Sequence, residues 1–228
     1  MPMSIKSRLV AAAAALTLAG GVGIASAGGA SAATPSCGHG CVDVFTLVFG
    51  SHKHPNFVVD VFKQAQRAGQ PIILFRTSNN DPAEDFTYSA QGTVHDFFLA
   101  GLVSASLDLH YHALQAYELE YSPFGADTGL CVGVGSTAVS GTLVTLQPCG
   151  VSAKTVWVID KFDAKGSFAP LINGSDTNFS HPFVLTYPQD SFPTDMPRPV
   201  LQTENLQKFS NGTVNDRQMW SANLGVLP

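Results

Sequence analysis

The chain has 228 residues, with 12 Lys+Arg against 17 Asp+Glu, and only 13% of its residues are charged, against a usual share of ~25%. A net negative chain without a Lys/Arg cluster is a poor nucleic-acid binder, because phosphate neutralisation supplies most of that affinity. Beyond residue 32 no segment carries the ~20 uncharged apolar residues that a membrane-spanning helix needs.

At the start of the chain Lys6 and Arg8 lead into an apolar, Ala-rich run, Leu9–Leu18, followed by the small residues Ala30-Ser31-Ala32. That order predicts a secretory signal over residues 1–32. The remaining chain, Ala33 to Pro228, is more acidic than the whole and long enough for one domain with a sizeable core. Four cysteines in an exported chain imply disulfides, with three pairings open. Cys37 and Cys41 lie in Cys-Gly-His-Gly-Cys, where two glycines let a short loop close. Cys131 and Cys149 flank two extended runs joined by a turn around Ser140-Gly141. Local pairing, 37–41 and 131–149, is the expectation, the second bridge contributing roughly 3 kcal/mol on the chain-entropy model. His39 would add a third zinc donor to Cys37 and Cys41, but three donors at this spacing match no zinc knuckle, and a disulfide is expected instead.

Helix signals are scarce. The stretch Val58–Ala68 has a helical period, but its β-branched opening Val58-Val59-Asp60-Val61 fits a strand better. Elsewhere short apolar runs alternate with Gly, Pro, Asn and Ser: Val42–Phe49, Pro71–Arg76, Asp85–Ser89, Tyr117–Tyr121, Leu130–Val134, Leu143–Gln147, Thr155–Ile159, Pro182–Tyr187, Val200–Thr203 and Met219–Asn223. Many short strands separated by turn residues predict an all-β sandwich or barrel. No Pro/Ser-rich linker divides them.

An internal repeat decides the architecture. Three segments share an apolar strand with a short central residue, a turn, a second apolar strand, and a closing polar-X-aromatic step. They run from Phe57 through Asp60 and Leu74-Phe75 to Glu84-Asp85-Phe86, from Leu130 through Gly133 and Leu146-Gln147 to Thr155-Val156-Trp157, and from Phe183 through Thr186 and Gln202 to Gln218-Met219-Trp220. None can bury an apolar face alone, so the three are expected to close around a pseudo-threefold axis.

Gln218-Met219-Trp220, and the run from Cys131 to Leu-Gln-Pro-Cys149 followed by Thr155-Val-Trp157, resemble the Gln-X-Trp repeats and in-repeat disulfide of ricin-type β-trefoil domains. The resemblance covers about Val42 to Gly225. It implies an all-β, twelve-stranded trefoil: a six-stranded barrel capped by a hairpin triplet, with repeats near 42–91, 117–160 and 168–225. The longer connection within 91–130 departs from the pattern, so residues 97–116 are expected to be an insertion. By the same comparison Phe86, Trp157 and Trp220 should be axial core.

In sugar-binding copies of that family the central residue is Asp, the second strand supplies an aromatic platform, and an Asn precedes the Gln-X-Trp step. The chemistry needs a flat π-face for the sugar's C–H surface and charged acceptors for its hydroxyls. Carried across, the first repeat keeps Asp60 and Phe75, with Ala83 for the Asn and Glu84 for the Gln. The second has Gly133 and Gln147; the third has Thr186, Gln202 and Arg217. One incomplete sugar site is therefore implied, at Asp60, Phe75 and Glu84, the alternative being that Asp60 anchors a strand and Phe75 is core. Calcium is not expected there, since Asp60 has no acid adjacent in sequence.

Other chemistry is weakly supported. His110-Tyr-His112 would put two imidazoles on one face of a strand, near Asp96, Asp108, Glu118 and Glu120, but such a pair in an insertion is more often a solvated face. His52-Lys53-His54 places a repelling cation between its imidazoles. Glu118-Leu-Glu120 lacks the opposed placement of a glycosidase pair. There is no Gly-X-Ser-X-Gly and no strand–helix alternation for a nucleophile elbow. The sequence thus points to a secreted, non-catalytic binding protein with no metal or cofactor, taking a glycan or other extracellular polymer. The alternative is a protein-interaction or inhibitor scaffold, and the remotest reading is a hydrolase using His110, His112 and Glu118.

Overall fold

Each repeat folds into four strands in the computed structural model, which describes residues 41–48, 57–76, 81–189 and 198–222. The chain divides into Met1–Ala33 and Thr34–Pro228, and only the second unit is considered below. The predicted signal segment and Cys37 lie outside the described residues. The first repeat supplies β1 (Val44–Thr46), β2 (Phe57–Val61), β3 (Ile72–Arg76) and β4 (Phe86–Thr93). The second supplies β5 (Gln115–Tyr121), β6 (Leu130–Val134), β7 (Thr142–Pro148) and β8 (Val156–Ile159). The third supplies β9 (Leu171–Asn173), β10 (Phe183–Thr186), β11 (Gln202–Asn205) and β12 (Trp220–Ala222).

Six strands close a barrel. Between repeats β4 pairs with β5, β8 with β9 and β12 with β1, all antiparallel. Within repeats the pairs are Val42 with Phe86, Tyr117 with Trp157, and Ala169 with Trp220. The other six strands form the hairpins β2–β3, β6–β7 and β10–β11. This is the expected β-trefoil.

Backbone hydrogen bonds join the three hairpins in a ring. The Leu146 amide donates to Gln70 O (2.8 Å), Val144 to Leu201 O (2.8 Å) and Leu201 to Ile72 O (2.8 Å). Two turn glycines join it, Gly69 donating to Leu146 O (2.7 Å) and Gly141 to Thr203 O (2.8 Å). Their φ values of +80° and +79° lie in the left-handed region that a side chain would disfavour.

Phe86, Trp157 and Trp220 are all buried in one core cluster with Val59, Leu74, Leu146, Leu185 and Leu201. Each indole also finds a partner: Trp157 Nε1 donates to Val132 O (2.9 Å) and Trp220 Nε1 to Leu185 O (2.8 Å). Period-two alternation sends Trp157 to the axis and its neighbours Val156 and Val158 outward into a second apolar cluster. The Cys131–Cys149 bridge is present, joining the ends of β6 and β7. Cys41 is also disulfide-bonded, but the 37–41 pairing lies outside the described residues.

The insertion differs from expectation. It contains two helices, α1 (Val94–Leu99) and α2 (Ala105–Tyr111), while Ala116 belongs to β5. Thr93 and Asp96 form a capping box on α1, and the Ser104 hydroxyl accepts from the Leu107 amide at the start of α2. Val94, Phe97 and Leu107 pack on Val156, Val158, Ile172 and Val184. His110 and His112 are therefore not alternating strand residues; His110 is on α2 and His112 caps its C-terminal end.

Trp157→Ala and Trp220→Ala should each destabilise the fold by roughly 3–5 kcal/mol, because an emptied indole site collapses only partly. Chemical denaturation reads the change directly, and midpoints equal to the parent's would contradict the burial.

Candidate functional site

The strand register fixes which residues are equivalent. Asp60 opposes Ile73, Gly133 opposes Thr145, and Thr186 opposes Gln202, so Asp60, Gly133 and Thr186 match as the repeat predicts. One position in from the hairpin's open end, Val58 opposes Phe75, Cys131 opposes Gln147 and Val184 opposes Glu204. The third-repeat counterpart of Phe75 is therefore Glu204, not Gln202. A hairpin two residues out of step in the sequence comparison explains the difference.

These equivalent positions have three different fates. In the third repeat Gln218 Nε2 donates to Thr186 Oγ1 (3.1 Å) and Asn205 O (2.9 Å), while Gln218 Oε1 accepts from the Gln207 amide (2.7 Å). The side chain is buried and spends its polar atoms on the fold. In the second repeat Thr155 closes over Gly133: a Cβ at Gly133 would lie 2.7 Å from Lys154 O and 2.8 Å from the Thr155 methyl. Thr155 Oγ1 in turn donates to Glu118, which also accepts from the Gly150 amide. Glu120 accepts from the Gly129 amide. The two glutamates are thus buried strand and turn anchors, not an opposed acid/base pair.

The first repeat keeps an open groove. Asp60, Val61, Phe62, Lys63, Gln64, Ile73, Phe75, Asp81 and Ala83 line a cavity of about 550 Å³. Asp81 caps the turn Pro82–Glu84, accepting from the Ala83 amide (3.0 Å) and from Gln64 Nε2 (2.8 Å). That turn brings Asp81 and the buried Glu84 to Asp60, with carboxylate oxygens of all three within 4.8 Å of one another. Acids absent beside Asp60 in sequence are thus beside it in space, which removes the sequence argument against a cation there. Burial, then the Asp81 and Glu84 charges, push the Asp60 carboxyl up to about 7. At the rim Lys63 and Gln64 hold φ of 57° and 56°, a conformation that costs non-glycine residues on the order of 1–3 kcal/mol and tends to mark functional surfaces. Phe75 is half-buried on the cavity wall, and the Arg198 guanidinium sits 4.9 Å from its ring centroid. One face of the expected platform therefore already carries a cation.

The hydrolase trio does not converge. His110 Nδ1 meets Ser106 O (2.9 Å) and its ring stacks on Phe179 at 4.0 Å, while His112 faces Asp108 (3.1 Å) and Glu118 is anchored as described. Asn-X-Ser/Thr sequons occur at Asn173, Asn178 and Asn211, and of these Asn173 is buried and bonded to Lys154 O and Ser175.

No protein-family model matches the chain, and no curated protein matches it. Among solved structures it is similar to ThreeFoil, a designed threefold-symmetric protein, at 11% identity and a TM-score of 0.52, over 80% of this chain and 96% of that one. It is also similar to an exo-beta-1,3-galactanase from Clostridium thermocellum, at 10% identity and a TM-score of 0.51, over 80% of this chain but only 30% of that enzyme. An agglutinin from Abrus precatorius matches at 16% identity and a TM-score of 0.46, over 82% of this chain and 49% of that one. The first two likenesses establish the β-trefoil fold.

Because the folded Asp60 holds its proton to about 7, while an unfolded Asp releases it near ~3.9, the native state binds the extra proton between those values. Stability from this group is complete at the acid end and is lost as pH rises through the window. Relative to Asp60→Asn, the parent should lose stability between about pH 4 and 7, by at most ~4 kcal/mol. Urea titrations across that range should show the divergence; parallel curves would contradict it. Gly133→Ala should cost about 1–3 kcal/mol in the same assay, because its methyl meets backbone that cannot move aside.

Proposed function

We propose that this protein is a secreted, non-catalytic glycan-binding module of the ricin-like β-trefoil kind, whose working site is the groove of the first repeat. Its export rests on the signal-like segment 1–32. The observation that carries the binding role is the contrast among equivalent positions. Thr155 and Gln218 fill the second and third, whereas the first presents Asp60 and Phe75 to one open cavity. Asp60 accepts hydrogen bonds from sugar hydroxyls, with the buried Glu84 close beside it, and the ring of Phe75 receives a C–H face of the pyranose. Arg198 and Lys63 offset the negative charge gathered at the groove.

Two features keep the affinity weak. Ala83, buried where sugar-binding relatives have Asn, leaves a hydroxyl without a partner, which costs about 1–3 kcal/mol. Asp60 is a strong acceptor only when ionised, above about 7. A second reading, as a protein-interaction scaffold, is favoured by Leu99 and Leu109, which the helical insertion leaves 70% and 81% exposed.

A glycan-array screen of the mature chain, followed by calorimetric titration with the best-scoring glycan, tests the proposal. Asp60→Ala should weaken binding by about 10–100-fold, the worth of a charge-assisted hydrogen bond. Parent affinity should rise as pH crosses about 7, and the variant should lose that rise. Equal affinities in parent and variant, or no array signal, would overturn the groove and leave the scaffold reading in front.

A further inference from the structure

The helical insertion gathers three metal-binding side chains that the glycan groove does not use. His95 stands on α1, Asp108 on α2, and His112, four residues beyond Asp108, at the C-terminal cap of α2. Asp108 Oδ2 is 3.2 Å from His95 Nδ1 and Asp108 Oδ1 is 3.1 Å from His112 Nδ1. The two imidazole centroids are 4.2 Å apart. One ligand atom from each of the three lies within 4.8 Å of the others.

We propose that His95, Asp108 and His112 form a binding site for a zinc-class divalent transition-metal ion that clasps α1 to α2. Both imidazoles turn Nδ1 to a single carboxylate, and Asp108 Oδ1 is within 3.3 Å of His95 Nδ1 as well as 3.1 Å of His112 Nδ1. A tetrahedral ion at ~2.0–2.1 Å from its nitrogen and oxygen donors holds neighbouring donors ~3.3 Å apart. The Asp108 Oδ1 separations of 3.3 and 3.1 Å from the two Nδ1 atoms come within a few tenths of an ångström of that spacing, so one carboxylate oxygen already stands at donor distance from both imidazoles. Two imidazoles and one carboxylate suit zinc and its neighbours, whereas calcium and magnesium want oxygen alone. The base is firm: the capping box on α1, the Ser104 cap on α2 and the buried Val94, Phe97 and Leu107 hold both helices against the barrel. The Asp108 side chain is 13% exposed and that of His112 60%. Three protein donors leave a fourth position, which opens toward solvent on the His112 side for water or an outside ligand. His110 does not belong to the site, since Ser106 and Phe179 occupy it.

The site stands independently of glycan binding. Its test is calorimetric titration of the chelator-treated, disulfide-intact mature chain with zinc chloride, alongside His112→Ala, Asp108→Asn and His110→Ala. The parent should bind zinc with a rise in melting temperature, as a ligand selective for the native state must produce. His112→Ala and Asp108→Asn should weaken this binding by more than ~100-fold, beyond the ~10–100-fold typical of an outer-shell partner. His110→Ala should bind as the parent does. Cobalt should give tetrahedral d–d absorption in the parent that His112→Ala lacks. His112 is exposed at a helix end, so its variant decides the matter even if Asp108→Asn misfolds. No zinc uptake by the parent would overturn the proposal. Unchanged affinity in His112→Ala would do the same, placing the ion elsewhere and leaving the triad as a hydrogen-bonded His–Asp–His cluster.

Discussion

A four-stranded unit of this chain has no second layer on which to bury its apolar face, so each unit depends on the other two. Phe86, Trp157 and Trp220 concentrate that dependence, because each closes its own repeat and fills space shared by all three. The two indoles add a directional constraint. Each donates to a carbonyl of the hairpin strand in its own repeat, fixing the last barrel strand against the cap. A buried indole N–H without such a partner would be costly, so barrel and hairpin triplet are specified together.

The first repeat departs from this scheme at its closing residue, and its other departures cluster around that change. Phe86 has no N–H to donate. Glu84 stands where Gln218 stands in the third repeat, and Asp60 where Thr186 stands. Gln218 and Thr186 can satisfy each other as donor and acceptor. Two carboxylates repel instead, and the Glu84 charge adds to burial and to the Asp81 charge in pushing the Asp60 carboxyl up to about 7. The polar pair that seals the third repeat is replaced in the first by two neighbouring carboxyl groups.

Much of this was legible in the sequence because the repeat imposes equivalence. The register of Asp60, Gly133 and Thr186, the burial of the three aromatics and the Cys131–Cys149 bridge all follow from it. Glu204 was missed because β11 has no apolar alternation to align; Gln202, Thr203, Glu204 and Asn205 read as polar throughout. The helices were missed because six and seven residues span barely two turns, too few for a 3.6-residue period to declare itself. The usable signals were local: Thr93 followed by Asp96 in capping-box spacing, and Ser104 ahead of Leu107. The convergence of Asp81, Glu84 and Asp60, and of His95 with Asp108 and His112, depends on turns whose direction is not written in residue spacing. Only the folded chain brings them together.

The helical insertion has a further consequence, for the order in which the molecule is assembled. Val94, Phe97 and Leu107 are made early, yet the surface they cover, Val156, Val158, Ile172 and Val184, belongs to the second and third repeats. During synthesis the hairpin therefore emerges well before its packing surface exists. Contacts of such long sequence separation slow folding, and their apolar faces stay exposed until closure. Docking of the two helices must await those strands, so Val94, Phe97 and Leu107 lack this cover in the nascent chain until the second and third repeats have been made.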